Sequence, residues 1–264
     1  MIAIIGGSGV YDASLFEDAV DKDLRTPYGS VRVTTGTYRG RPLVFLPRHG
    51  FSHSVPPHLI NYRANIWALK MLGVTRIIST SAVGSLRKEI PPGSYVVLSN
   101  FLDFTKTRAS TFYEGQASSI PETSVVHIDV TSPYCPQLRE NVISAGRSLG
   151  APIVDEGVYV CTEGPRFESA SEISMYAMLG GDVIGMTNIP EVVLARELEL
   201  CYCSVAMVTN FAAGISGEKL THSEVLEIME KNISSIRSLL ARVISTLPEK
   251  RQCPCQTLLQ GAKG

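Results

Sequence analysis

Several features are scarce in this 264-residue chain, and each scarcity excludes something. Net charge is almost absent: 24 Lys and Arg face 25 Asp and Glu, for a formal balance of −1. No global field therefore draws the chain to nucleic acid or to a membrane surface, although a local anion site remains open. Charged residues make up 19% against 44% apolar, which excludes a disordered chain and fits a large buried core. No apolar run approaches the ~18 residues of a membrane span. The opening Met-Ile-Ala-Ile-Ile-Gly-Gly has no basic region of the kind that starts a signal peptide, so a cytoplasmic protein is expected. Cys-x-x-Cys spacing, the mark of many zinc sites, is missing too.

The six cysteines are Cys135, Cys161, Cys201, Cys203, Cys253 and Cys255, four of them in two Cys-x-Cys pairs. Two readings stay open: buried unpaired thiols, or disulfides such as intracellular proteins of hyperthermophiles contain. Cys201 and Cys203 are too close along a strand to bridge easily. Cys253-Pro254-Cys255 could form a local, strained and redox-active pair.

Strand-like and helix-like segments alternate along the chain. Strands are predicted at Ile2–Ile5, at Val31–Thr37 and Leu43–Leu46 around a Tyr38-Arg39-Gly40-Arg41 hairpin turn, and at Ile77–Thr80, Tyr95–Leu98, Val158–Cys161, Val183–Met186 and Tyr202–Thr209. Helices are predicted at Tyr62–Leu72, Leu138–Leu149, Ser171–Leu179, Val192–Leu200 and Ser223–Leu247, with Thr221 and Glu224 as a capping box for the last. Residues Phe104–Thr123 are predicted to be a long loop, which in a compact domain is usually functional or disordered. The pattern predicts a single α/β domain over residues 1–247, a mixed, twisted central β-sheet flanked by helices. Residues 248–264, with the Cys-Pro-Cys, are predicted to extend outside the core.

Small, polar or basic residues collect where these strands end. Gly6-Gly7-Ser8-Gly9 allows close backbone approach and offers amides and a hydroxyl to an anion. It fails the dinucleotide fingerprint, having Asp12 where the third Gly belongs, and it fails the Walker pattern. Pro47-Arg48-His49-Gly50 places a guanidinium fork and an imidazole at a strand end. Ser79-Thr80-Ser81-Ala82-Val83-Gly84-Ser85 adds hydroxyls and amides. Glu163-Gly164-Pro165-Arg166-Phe167-Glu168 puts an aromatic face beside a carboxylate, which suits a purine. Asn210, in Thr209-Asn210-Phe211-Ala212-Ala213-Gly214, carries a donor and an acceptor and can address a purine edge at two atoms. Taken singly, each also fits a bland role: a tight turn, a solvated Arg, a core Phe, a turn Asn.

Taken together and in order, these segments resemble the trimeric family of purine nucleoside phosphorylases and methylthioadenosine phosphorylases. The match covers almost the whole chain. Besides the motifs above it includes Thr26-Pro27-Tyr28-Gly29, Asn61 through Lys70, Gly185-Met186-Thr187 and Pro190-Glu191. The resemblance implies phosphorolysis, in which a purine nucleoside and phosphate give free base and ribose 1-phosphate. It implies a phosphate site of Ser8, Arg48, His49, Ser81, Ala82 and Thr187, a ribose contact at Met186, and Phe167 packed against the nucleoside. Phe211 and Ala212 join the nucleoside side, and His127 falls where a neighbouring subunit reaches in. A homotrimer or dimer of trimers is implied. No metal or organic cofactor is implied, inorganic phosphate being a co-substrate, because positioning and preorganised electrostatics carry the reaction.

Three departures from the adenosine-type branch narrow the substrate. Glu168 stands where that branch has Ser or Thr, and Asn210 where it has Asp. Asn can donate to O6 or N7, and Glu168 can accept from an N1–H that 6-oxopurines have and adenine lacks. Mismatched hydrogen bonds at a buried edge discriminate by ~2–4 kcal/mol. His222 stands where methylthio-specific relatives carry a small or apolar residue, and can bond a 5′-hydroxyl. Asn210, His49 and Glu168 are thus the expected catalytic residues of a 6-oxopurine nucleoside phosphorylase acting on inosine and guanosine. The rival is a methylthioinosine phosphorylase, or less closely a methylthioadenosine one.

Overall fold

The structure is a computed structural model that describes residues 1–7, 10, 16–115, 125–216 and 222–262, without the side chains of 222–231. The chain begins with β1 (Ile2–Gly6), whose five residues are all buried. Ala3 and Ile5 point into one core layer and Ile2 and Ile4 into another, so an unbroken apolar run serves two faces of one sheet. β2 (Glu17–Thr26), β3 (Gly29–Tyr38) and β4 (Arg41–Pro47) form an antiparallel meander. The β3–β4 turn has positive φ at Arg39 and Gly40, as a tight hairpin requires. β4 then runs parallel beside β1, pairing Pro47 with Gly6.

The helix α1 (Tyr62–Met71) is capped by Asn61, whose side chain accepts from the Ala64 amide at 3.0 Å. β5 (Arg76–Ser85) is the centre of the sheet: along one edge it carries β11 (Cys201–Phe211), parallel, over its whole length. Its other edge is shared. β1 pairs with residues Arg76 to Ser79, and β10 (Val183–Gly185) pairs antiparallel with Gly84 and Ser85. Beyond β10 lie β9 (Val158–Thr162) and β7 (Asn100–Phe104), while β6 (Tyr95–Val97) continues from β11 to β8 (Ile153–Val154). The sheet is mixed, as expected. α1 and α4 (Glu191–Glu197) supply one core layer, and α2 (Pro136–Ser148) and α5 (His222–Thr246) the other. α3 (Ala170–Met178) covers a smaller third cluster around Ile184 and Ala212.

The structure adds strands that the sequence reading did not predict. The loop expected from Phe104 onward is preceded by the strand β7, and the charged segment 17–26, with no apolar pattern, is an edge strand. The C-terminal segment does not extend outside the core. Cys253 and Cys255 are buried in the second layer, and Arg76 Nη2 donates to Glu249 O at 3.0 Å. Further on, the His127 amide donates to Ala262 O at 2.9 Å. The local Cys253–Cys255 pair is not formed; all six cysteines are free thiols, and all six are buried. Thr221 of the expected capping box lies outside the described residues.

Candidate active site

The edge of β5 between its pairing with β1 and its pairing with β10 has no strand beside it among the described residues, from Thr80 to Val83. The Arg48 side chain enters this gap. β4 ends at Pro47, the Arg48 amide donates to Gly6 O at 3.0 Å, and the guanidinium Nη1 donates to Thr80 O at 2.9 Å. Nη2 donates to Ser79 Oγ at 2.5 Å. Sequence reasoning missed the partner that makes this burial possible. Arg48 Nε and Nη2 donate to the two oxygens of Glu191 at 2.7 and 2.8 Å, with side chains only 2% and 0% exposed. Tyr202 Oη and Ser79 Oγ also donate to Glu191 Oε1, at 2.7 and 3.1 Å. Burial works against the Arg48 charge, but Glu191 more than offsets it and holds the guanidinium above its ordinary range. The pair leaves one Nη1 proton of Arg48 uncommitted among these contacts.

The other residues implied in phosphate binding come from β5, from the residue after Arg48 and from the end of β10. A residue's N–H and C=O face the same side of a strand, so the Ala82 amide faces the same open edge as Thr80 O. Ser81 Oγ is buried with no hydrogen-bond partner among the described residues. The His49 ring lies 2.8 Å from Val55 O through Nδ1. A carbonyl can only accept, so Nδ1 carries the proton and Nε2 offers a lone pair. Burial, then the Arg48 charge, lowers the His49 pKa to about 4, so the ring is neutral at pH 7. Thr187 is buried at the end of β10, and its amide donates to Tyr159 Oη at 3.2 Å. Ser8 lies outside the described residues.

The residues expected to meet the nucleoside lie at or beyond the ends of β9, β10 and β11. A Cβ on Gly164 would come within 2.5 Å of Met186 Sδ, so this glycine lets the β9 loop close over Met186. Arg108, from the segment expected to be a long loop, ties these loops together and was also missed. Its Nη1 donates to Met186 O at 2.8 Å and to Ile189 O at 2.6 Å. Its Nη2 donates to Thr162 O at 3.1 Å and to Glu163 O at 2.8 Å. Glu168 precedes the α3 cap, Ser169, and accepts from Thr162 Oγ1 at 2.6 Å. Phe167 stands beside it, 47% exposed in the single chain.

Asn210 is the last residue but one of β11 and pairs with Gly84, just past a register shift. Thr209 Oγ1 lies 2.8 Å from its Oδ1, and its Nδ2 donates to Phe211 O at 2.8 Å. The amide is thereby oriented, with one Nδ2–H committed and one left. Phe211 is half-buried opposite Ser85, whereas Ala212 is buried in the cluster beneath α3. Gly214 then packs on Ala170, where a Cβ would come within 2.9 Å, so the strand carrying Asn210 turns against the helix that follows Glu168. His127 is exposed. His222 opens α5, and its side chain lies outside the described residues.

An open sheet edge with a buried, charge-balanced arginine thus stands in one sheet with the strand ends that lead to Phe167, Met186 and Asn210. The chain belongs to the phosphorylase superfamily, whose family model matches residues 1–245. It is 54% identical over 263 residues to the 6-oxopurine nucleoside phosphorylase of Pyrococcus furiosus, covering 100% of this chain and 99% of the relative. It is 48% identical to a probable S-methyl-5′-thioinosine phosphorylase of Methanothermobacter thermautotrophicus, covering 99% and 90%. Among solved structures, methylthioadenosine phosphorylase of Schistosoma mansoni in complex with adenine superposes with a TM-score of 0.92 at 33% identity, covering 99% and 98%.

Proposed function

We propose that this chain is a 6-oxopurine nucleoside phosphorylase, a pentosyltransferase that cleaves inosine and guanosine with phosphate. The observation that carries the reading is the oriented amide of Asn210, whose second Nδ2–H is not used by either of these bonds. A donor there suits O6 or N7 of a 6-oxopurine. Glu168, fixed by Thr162, is the acceptor for N1–H. Relatives named 6-oxopurine nucleoside phosphorylase support it.

In the reaction the bond from C1′ to the purine nitrogen breaks and its electron pair leaves with the base. A phosphate oxygen then bonds to C1′. Positive charge grows on the ribose beside the phosphate dianion, and negative charge grows on the purine beside Asn210. Phosphate is held at the open edge of β5 by Arg48 Nη1, Ser81, the Ala82 amide, Thr187 and Ser8. His49 Nε2 accepts the hydroxyl of monohydrogen phosphate, whose proton the departing base gains. No cofactor takes part in this reading. The chain works as an oligomer in the cytoplasm, a trimer or pair of trimers, in which the exposed His127 completes a neighbour's site.

The test is a parallel assay of inosine, guanosine, adenosine, methylthioadenosine and methylthioinosine with phosphate. Inosine and guanosine should lead adenosine clearly; no base release from inosine would end the proposal. Preference for methylthioinosine would favour the second reading, for which the Methanothermobacter relative speaks. Asn210→Asp should raise relative activity on 6-aminopurines. His222→Val should weaken 5′-hydroxyl substrates more than 5′-methylthio ones, and equal losses would remove His222 from this role.

A further inference from the structure

Residues 186–190 join β10 to α4 and carry much of the site: Met186, Thr187 and, one residue on, the Glu191 that holds Arg48. Side chains from elsewhere meet the polar groups of this turn. Arg108 takes the carbonyls of Met186 and Ile189, and Tyr134 Oη donates to Asn188 Oδ1 at 2.6 Å. Two β9 residues take the amides. The Ile189 amide donates to Cys161 Sγ at 3.4 Å, and the Thr187 amide donates to Tyr159 Oη at 3.2 Å. Tyr159 and Cys161 stand two apart on one strand, so they address the turn from the same face. Both are fully buried. Gly185 makes the space for the phenol, because a Cβ there would collide with Tyr159 Oη.

Tyr159 thus touches Thr187, a residue of the proposed phosphate site. An amide nitrogen only donates, so the Tyr159 oxygen is the acceptor in that bond and its own proton needs an acceptor elsewhere. Among the described residues the candidate is the Thr187 hydroxyl, which lies close enough to act on the phenol by hydrogen bonding. We propose, on the reading of Thr187 as a phosphate ligand, that Tyr159 is a positioning residue that sets the direction of the Thr187 hydroxyl. Tyr159 Oη donates to Thr187 Oγ1, and the Thr187 proton is left to donate to phosphate.

The direction matters because the two partners of Thr187 differ. A threonine hydroxyl can donate or accept, whereas the unprotonated oxygens of phosphate only accept. If Thr187 spent its proton on Tyr159, a lone pair would face the anion and repel it. The phenol proton would then also be buried without an acceptor, which is costly. The proposed direction satisfies the phenol, the Thr187 hydroxyl and phosphate together, and each donor in such a chain polarises the next. The phenol stays protonated for this role. Burial raises its pKa above the ordinary range, and the opposing hydrogen bonds of Thr187 and the charge of Arg48 do not cancel that.

The test separates phosphate from nucleoside in the full chain. Tyr159→Phe removes the phenol oxygen alone, and should raise phosphate KM about fivefold while inosine KM moves by less than about twofold. Equal rises in both constants would mean a general loosening of the turn and would overturn the proposal. Equilibrium dialysis against phosphate then measures the coupling to Thr187. Thr187→Ala should weaken phosphate binding about tenfold or more, and adding Tyr159→Phe to it should weaken binding no further. Additive losses would mean that Tyr159 acts through the Thr187 amide, and would refute a role through the hydroxyl. If Thr187→Ala leaves phosphate binding unchanged, the reading of the phosphate site falls as well. If it weakens binding and Tyr159→Phe does not, the proposal alone falls. Neutron diffraction from crystals of the unaltered protein, exchanged into heavy water with phosphate, needs no substitution. The Tyr159 deuteron should lie towards Thr187 Oγ1 and the Thr187 deuteron towards a phosphate oxygen; a Thr187 deuteron turned to Tyr159 would overturn the inference.

Discussion

The Arg48–Glu191 pair shows how a single residue can carry charge into a neutral protein. Both members are buried, so their worth is seen when one is removed. Taking away one partner leaves an uncompensated buried charge, a loss of about 3–5 kcal/mol. Arg48→Met and Glu191→Gln should each shift the urea transition by that amount, and a loss below about 1 kcal/mol would mean the pair is hydrated. His49 offers a second test at this scale. Its pKa is about 4 in the folded chain against an ordinary 6.5, so the unfolded chain binds more protons between those values. Stability should therefore fall as pH falls from 6.5 towards 4. Urea midpoints for His49→Gln should fall less over that window than those of the unaltered protein; parallel curves would contradict a buried neutral imidazole. Arg48 and His49 were legible because they follow a strand directly. Glu191 was not given a role, yet a signal existed. A carboxylate that opens the apolar run Val192-Val193-Leu194-Ala195 is buried, and a buried carboxylate needs a cation.

At the scale of elements, apolar strands and capped helices declared themselves through periodicity. The segment 17–26 did not, because an edge strand facing solvent has no apolar face to show. The C-terminal segment misled for the opposite reason: its polar composition hides two cysteines that are buried among side chains far away in sequence. The 104–123 segment was marked only as usually functional or disordered, and nothing local singled out Arg108, whose carbonyl partners come from β9, from the residue after it and from the turn between β10 and α4. Arg108 is a positioning residue for the loops carrying Met186 and Phe167. Arg108→Met should raise nucleoside KM about tenfold, a loosening of ~1.4 kcal/mol, with a smaller change in phosphate KM. Equal changes in both constants, or a fall in kcat alone, would assign it to general stability.

For the whole molecule, near-zero net charge is compatible with the proposed phosphate site because the positive charge of Arg48 is local and already balanced by Glu191. The apolar surface points beyond one chain. Met175 and Met178 of α3 and its C-cap Leu179 stand at i, i+3 and i+4 and are 38%, 79% and 54% exposed. They sit on the helix that begins beside Phe167, so a neighbour covering that face would also approach the nucleoside. If His127 of one chain completes the site of the next, two differently damaged chains should rescue each other. His127→Ala keeps an intact pocket but lacks the reaching residue; Thr187→Ala has the reverse lesion. Each alone should be nearly inactive. Co-expressed in equal amounts and assembled at random, about a quarter of the sites would join an intact pocket to an intact His127 across a cyclic interface. Recovered activity near that fraction, absent when the two purified homo-oligomers are mixed without dissociation, is the expected outcome. If His127 acted within its own chain, every site would carry one lesion or the other, and co-expression would recover nothing.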